Sequence, residues 1–326
     1  MYMRQLDGLR CVAVMLVVLG HFGLINGPYA WLGVRLFFVL SGFLITGILL
    51  RGTSFTSFYA RRTLRIFPLY FAFIGLLWFA YVPAVRDGLW WHLLYVQNYM
   101  PVFGPKMQSM AAVDHLWSLA VEEQFYLLWP AVVLLGSRFS TKWAIVLMIA
   151  GAPLFRYWAV YEFGSRYFAD KSLFGNMDLL AMGAALAYMQ HYRIGARMIG
   201  LCAPALFALP FVLELNKDWL VVFAPTIIGM ACVWLVNAAC HGFDGLVGEL
   251  LELPPVVYIG RISYGIYVLH FLFAGQGNLP MQLIQTLLVS VVSFHFWETP
   301  WNNLKRWFPY GRRPASVALD PSPVEA

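Results

Sequence analysis

The chain has 326 residues, of which 61% are hydrophobic and only 12% charged, and its mean hydropathy is +0.68. A water-soluble domain of this length cannot hide that much apolar surface, so the composition makes the lipid bilayer the solvent. The net charge of +6 sits mainly on arginines near the ends of apolar runs, and no nucleic-acid partner is expected. Aromatic residues make up 17%, including 13 Trp, as suits belts at the two membrane interfaces. Cys11, Cys202, Cys232 and Cys240 lie in apolar runs without metal-ligand spacing, so buried thiols are expected and no metal site.

The expected fold class is all-α: a polytopic membrane bundle of about ten transmembrane helices. The first apolar stretch starts within ten residues of Met1, and no small-x-small cleavage site follows, so it reads as a retained helix. Spans are expected at 9–25, 32–50, 66–82, 115–135, 143–160, 173–190, 198–214, 219–240, 256–275 and 281–297. The aromatic stretch from Leu89 to Met100 is too short and polar to cross, and reads as interfacial or re-entrant. Residues 1–310 form one expected membrane domain, and 311–326 a disordered cytoplasmic tail rich in Pro and small residues. With the N-terminus in the cytoplasm, 15 of the 22 Lys and Arg fall on the cytoplasmic side, which supports both termini inside.

Polar residues within spans carry the functional signal, because a charge at mid-bilayer costs about 2.5–3.5 kcal/mol on insertion scales. In span one, Arg10 and His21 are eleven residues apart, so they share a helix face with about 16 Å between them along the axis. Arg10 reads equally as a snorkelling anchor, and His21 as a helix–helix hydrogen bond. Span two contains Arg35, Ser41 and Gly42. Arg61, Arg62 and Arg65 follow, interleaved with Phe55, Phe58, Tyr59 and Leu64, which predicts an amphipathic helix lying at the cytoplasmic interface. Such a cluster fits the phosphates of a nucleotide-bearing ligand, or anionic lipid headgroups.

Span four opens with His115 and carries Glu122, Glu123 and Tyr126; His115, Glu122 and Tyr126 fall on one helical face. A carboxylate beside an imidazole can hold its tautomer and stabilise the imidazolium formed in general-base catalysis. An interior ion pair with an arginine explains the carboxylates too. Asp178 in span six has no assigned partner. Span nine begins with Ser263, Tyr264 and Tyr267 and reaches His270, and Glu298 closes span ten.

The run Leu6-Asp7-Gly8-Leu9-Arg10, then His21, then Gly33 to Ile45 resembles the opening of the acyltransferase 3 family. Tyr59 to Pro68, His115 to Pro130, and Ile262 to Tyr267 with His270 are similar to further motifs of that family, in its order. Arg35 departs from the pattern, since an acidic residue is often expected there. The resemblance implies an integral membrane enzyme, in a bacterial-type plasma (inner) membrane, that moves an acyl group, commonly acetyl, from acyl-CoA to a hydroxyl. Acceptors in the family are surface or secreted carbohydrates, and in some members small molecules such as macrolides. No bound cofactor is implied; acyl-CoA is a substrate. Larger relatives append a hydrolase-like domain, and this chain reads as the membrane module alone.

The family's arginine–histidine pair carries over to Arg10 and His21, and its second arginine motif to Arg61, Arg62 and Arg65. The expected mechanism places the acyl-CoA phosphates on Arg61, Arg62 and Arg65, with Arg10 at the inner mouth. His21 is then the general base, supported by Glu122, with Glu123 beside it. Ser41, Tyr264 or His270 is the donor to the developing oxyanion. A competing class is a proton-coupled transporter with His21, Glu122 and Asp178 as relay; missing inverted repeats and missing broken-helix pairs argue against it.

Overall fold

The structure is a computed structural model and describes residues 3–25, 27–104, 112–189 and 218–310. The described residues contain helices and no strand. The chain begins with α1 (Arg4–His21), α2 (Gly27–Leu50) and α3 (Phe55–Phe79). Three short helices follow: α4 (Pro83–Arg86), α5 (Leu89–Leu93) and α6 (Met100–Phe103). A 3₁₀ turn (Asp114–Leu116) leads into α7 (Trp117–Leu135), then α8 (Arg138–Tyr161), α9 (Arg166–Lys171) and α10 (Leu173–Tyr188). The last part holds α11 (Asp218–His241), α12 (Gly245–Glu252), α13 (Pro254–Arg261), α14 (Ser263–Leu269), α15 (Leu279–Val292) and α16 (Thr299–Asn303).

Among the described residues, six helices are long and apolar enough to cross a membrane, or up to seven if the bent pair α13–α14 counts as one span. Ten were expected. The first and sixth expected spans form helices, α1 and α10, that fall short of that standard: α1 carries three charged residues, Arg4, Asp7 and Arg10, in its first seven positions, and α10 has 16 residues. The span expected at 198–214, Cys202 within it, and the tail at 311–326 lie outside the described residues. The aromatic stretch from Leu89 to Met100 breaks into α5, a 3₁₀ turn and the start of α6, and does not cross.

Sequence signals set several helix starts. Ser54, Ser137, Ser165, Ser172 and Asn278 each accept a hydrogen bond from the amide three residues on, satisfying a donor that the helix leaves unpaired. The middle of the bundle is α2, which packs on α1 and on α10. Glycines permit that closeness. A Cβ at Gly42 would overlap the Leu180 carbonyl of α10, and one at Gly183 would overlap the Val39 carbonyl of α2. Gly33 sits in the same way against the Ala13 carbonyl of α1. Bare backbones in contact are how helices pack where lipid supplies no hydrophobic contrast. Trp129 of α7 donates to Thr46 of α2 at 2.8 Å, which fixes α7 on the same scaffold.

Two expectations need correction. The arginine cluster does not lie on a separate interfacial helix: α3 runs without a break from Phe55 to Phe79, through Pro68. Ser54 starts it, nothing before Pro68 interrupts it, and its arginines meet polar groups inside the bundle. Span nine is not one straight helix either. α13 and α14 meet at Ile262 with a bend of 58°. The chain therefore does contain a broken helix pair, and that argument against a transporter falls away.

Candidate active site

The polar groups of α1, α2, α3, α7 and α14 form two clusters joined by one hydrogen-bonded layer. The first is a chamber of about 100 Å³ lined by Arg10, Ser41, Arg62, Arg65, Ser118, Glu122, Tyr126, Tyr264 and Tyr267, among others. Ser41 donates to Glu122 at 2.5 Å and accepts from the Tyr126 hydroxyl at 3.0 Å. The Arg62 guanidinium lies 5.0 Å above the Tyr126 ring. Arg10 is held by Asp7 at 2.6 Å, and Glu298 lies within electrostatic reach of Arg65. Arg62 and Arg65 thus give the chamber a cationic wall, with planar forks suited to phosphate.

Arg61 belongs elsewhere. Its guanidinium donates to the Lys305 and Phe308 carbonyls at 2.8 and 3.1 Å and stacks on Tyr310 at 4.1 Å. It ties α3 to the segment 305–310 and does not line the chamber. Glu123 does not line it either; its Oε1 is buried without a hydrogen-bond partner among the described residues. Arg35 stacks on Trp31 at 5.8 Å.

The chamber's inner limit is Tyr267. Its hydroxyl donates to the His115 carbonyl at 2.6 Å, since a carbonyl can only accept. The Ser118 hydroxyl, 2.6 Å away, therefore donates to Tyr267. Sequence reasoning gave these two residues no role.

Beyond this layer lies a cluster of three histidines. His21 Nδ1 is 2.9 Å from His270 Nε2, and the two rings stack with centroids 5.0 Å apart. His270 Nδ1 is 2.7 Å from the Tyr267 carbonyl, and His115 Nε2 is 3.2 Å from the Val268 carbonyl. These carbonyls end α14, where the helix tightens into a 3₁₀ turn (His270–Leu272) and the usual backbone donors run out. Phe271 stacks flat on His115 at 4.4 Å and edge-on to His21 at 4.7 Å. His115 and His270 are buried, whereas His21 is exposed.

The sequence-predicted residues thus separate. Arg10, Arg62, Arg65, Ser41, Glu122 and Tyr264 share the chamber; His21 and His270 share the histidine cluster. The expected support of His21 by Glu122 is not found. Glu122 is engaged by Ser41, and His270 is the group that contacts His21. His115 leaves the face of Glu122 and Tyr126 because it sits in the 3₁₀ turn before α7, where three residues make a turn. Of the oxyanion-donor candidates, Tyr264 gives its proton to the Ile66 carbonyl at 2.6 Å, Ser41 to Glu122, and His270 Nδ1 to Tyr267. Asp178 is not free to relay protons. It pairs with Arg156 at 2.9 Å, both side chains fully buried, and accepts from Thr226 at 2.6 Å. Arg156 also donates to the Val222 and Gly175 carbonyls.

The chain is similar to O-acetyltransferase OatA of Staphylococcus aureus (strain NCTC 8325 / PS 47), with 27% identity over 92% of this chain and 57% of that protein. It is also similar to the putative O-acetyltransferases SAS0844 (strain MSSA476) and SAR0937 (strain MRSA252) of the same species, at 25% identity and the same coverage. The chain thus spans 57% of the length of these curated relatives. No solved structure matches it. Residues 3–307 match the family model described as an acyltransferase domain, and the chain belongs to that family, acyltransferase 3.

Proposed function

We propose that this protein is a multi-pass membrane O-acyltransferase that moves an acetyl group from acetyl-CoA to a hydroxyl of a surface or secreted carbohydrate. The observation that carries this reading is the alignment of three features: a cationic chamber, the Tyr267–Ser118 layer behind it, and an exposed histidine beyond. The family supports acyl transfer, and the relatives' names support acetyl as the group. The termini and the chamber face the cytoplasm of a bacterial-type inner membrane, where acyl-CoA is found.

Arg62 and Arg65 hold the phosphates of acyl-CoA, with Arg10, tethered by Asp7, at the same mouth. The pantetheine arm extends past Tyr267 towards His21. There His21 Nε2 takes the proton of the acceptor hydroxyl as its oxygen bonds to the thioester carbonyl carbon. The carbon–sulfur bond breaks, the thiolate leaves, and the proton passes from the imidazolium to give free CoA. Positioned proton transfer of this kind contributes about 10²–10⁴ in rate. Direct transfer is favoured because, among the described residues, the ring contacts of His21 are His270 and Phe271, neither of which is an activated nucleophile.

The test is transfer from radiolabelled acetyl-CoA in membranes that contain the protein. Label reaching a cell-surface glycan or an added hydroxyl acceptor supports the reading. Absence of donor turnover with every acceptor tried would discard it.

A further inference from the structure

The hydrogen bonds of the histidine cluster fix where each proton sits. A backbone carbonyl can only accept, so His270, whose Nδ1 lies 2.7 Å from the Tyr267 carbonyl, carries its proton on Nδ1. Its Nε2 is then an acceptor, and His21 Nδ1, 2.9 Å away, is the donor to it. The reverse arrangement needs a protonated His270. That ring is 0% exposed, and its partners among the described residues, the Tyr267 and Ile266 backbone and His21, include no carboxylate, so the charge would be buried without compensation. Asp114 is the acidic group electrostatically nearest His21, and Lys171 engages both of its oxygens at 2.6 and 2.7 Å.

We propose that His270 is a positioning residue that sets the tautomer of His21, holding the proton on Nδ1 so that the Nε2 lone pair is presented to the acceptor. This rests on the reading of His21 as general base. The chain runs from the Tyr267 carbonyl through His270 to His21, a place held in many hydrolases by a carboxylate. When His21 takes the acceptor's proton, its Nδ1–H bond to His270 becomes charge-assisted and strengthens. The neutral His270 adds no negative charge near the thioester, and Phe271, packed on His21 and His115, holds the rings in register.

The experiment is ¹⁵N NMR of the histidine-labelled full chain in detergent or bilayers, at neutral to alkaline pH, with His21 assigned by its absence in His21→Gln. The ¹⁵N shifts distinguish the two neutral tautomers. Wild type is expected to show His21 protonated on Nδ1. His270→Phe, which removes the acceptor, moves His21 towards the other tautomer and lowers kcat by about 10²–10⁴ with the donor KM unchanged. His270→Gln, whose amide oxygen can accept from His21, restores activity to within about tenfold of wild type, as expected when an acceptor at that place is what matters. An Nε2-protonated His21 in wild type overturns the proposal, and that result needs no His270 variant to fold. So does a His270→Phe protein that keeps the Nδ1 tautomer and wild-type kcat. If His21 is Nδ1-protonated but His21→Gln transfers acyl groups normally, the tautomer assignment stands and the general-base reading falls.

Discussion

Ser41 donates a 2.5 Å hydrogen bond to Glu122 across the α2–α7 contact, inside the chamber that Arg62 and Arg65 line. Glu122 is thus one of the acidic groups, with Asp7 and Glu298, that an incoming phosphate must compete with for the arginines. Glu122→Gln keeps an acceptor for Ser41 and removes the charge. Donor binding is predicted to tighten, with the KM for acyl-CoA falling by about threefold to tenfold, since charges a few ångströms apart interact by about 1–4 kcal/mol in partly solvated surroundings. An unchanged or higher KM, with expression intact, would show that Glu122 does not oppose the donor site.

The arginine cluster divides by function. Arg61→Ala loses two hydrogen bonds to carbonyls and the stacking on Tyr310. Stability is predicted to fall by about 1.5–3 kcal/mol, the usual range for hydrogen bonds of charged groups, with the donor KM nearly unchanged. Arg62→Ala should do the opposite, raising the donor KM about tenfold or more, a loss of at least ~1.4 kcal/mol, with little effect on melting. Thermal melts in detergent and donor titrations of both variants check the division; identical profiles would refute it.

The Arg156–Asp178 pair is structural. Removing one partner leaves a buried charge alone, so Asp178→Asn or Arg156→Leu is predicted to cost about 3–5 kcal/mol. Arg156→Leu with Asp178→Leu should recover much of that loss, and turnover per folded molecule should stay at the wild-type level. A folded Asp178→Asn protein with no turnover would instead place Asp178 in the reaction.

His92 in α5, between the long helices, gives a pH signature. Its ring is fully buried, with Nε2 3.3 Å from the Ala84 carbonyl and Nδ1 without a hydrogen-bond partner among the described residues. Burial pushes its pKa down from 6.5 to about 4, and the carbonyl contact offsets only part of this. The folded state therefore binds fewer protons than the unfolded one between these values. Its contribution to stability is complete above pH 6.5 and is lost as pH falls towards 4. Melting temperatures across that window should fall less steeply for His92→Gln than for wild type; parallel curves would contradict the assignment.

Most of the helical layout was legible because the bilayer demands long apolar runs, and α2, α7, α8 and α11 begin and end close to the expected positions. The bend at Ile262 was not, because neither Pro nor Gly occupies it, and Arg261 and Ser263 on either side of it are residues that a continuous helix also accepts. The continuity of α3 was hidden by its arginines, which read as an interface when they in fact face polar groups of other helices. Arg10, Arg62, Arg65 and Ser41 could be recognised as a group. The contact of His21 with His270 joins residues 249 apart, and spacing along a helix carries no information about it. The same holds for the Ser118–Tyr267 bond, 149 residues apart.

The most direct measurement is steady-state acetyl transfer by purified wild type, His21→Ala and Arg65→Ala, resolved into kcat and the KM for acetyl-CoA. A base at His21 and a donor site at the arginines predict that His21→Ala lowers kcat by about 10²–10⁴ at near-constant KM, whereas Arg65→Ala raises KM and excess donor restores the rate. Wild-type kcat in a well-folded His21→Ala protein would contradict the account.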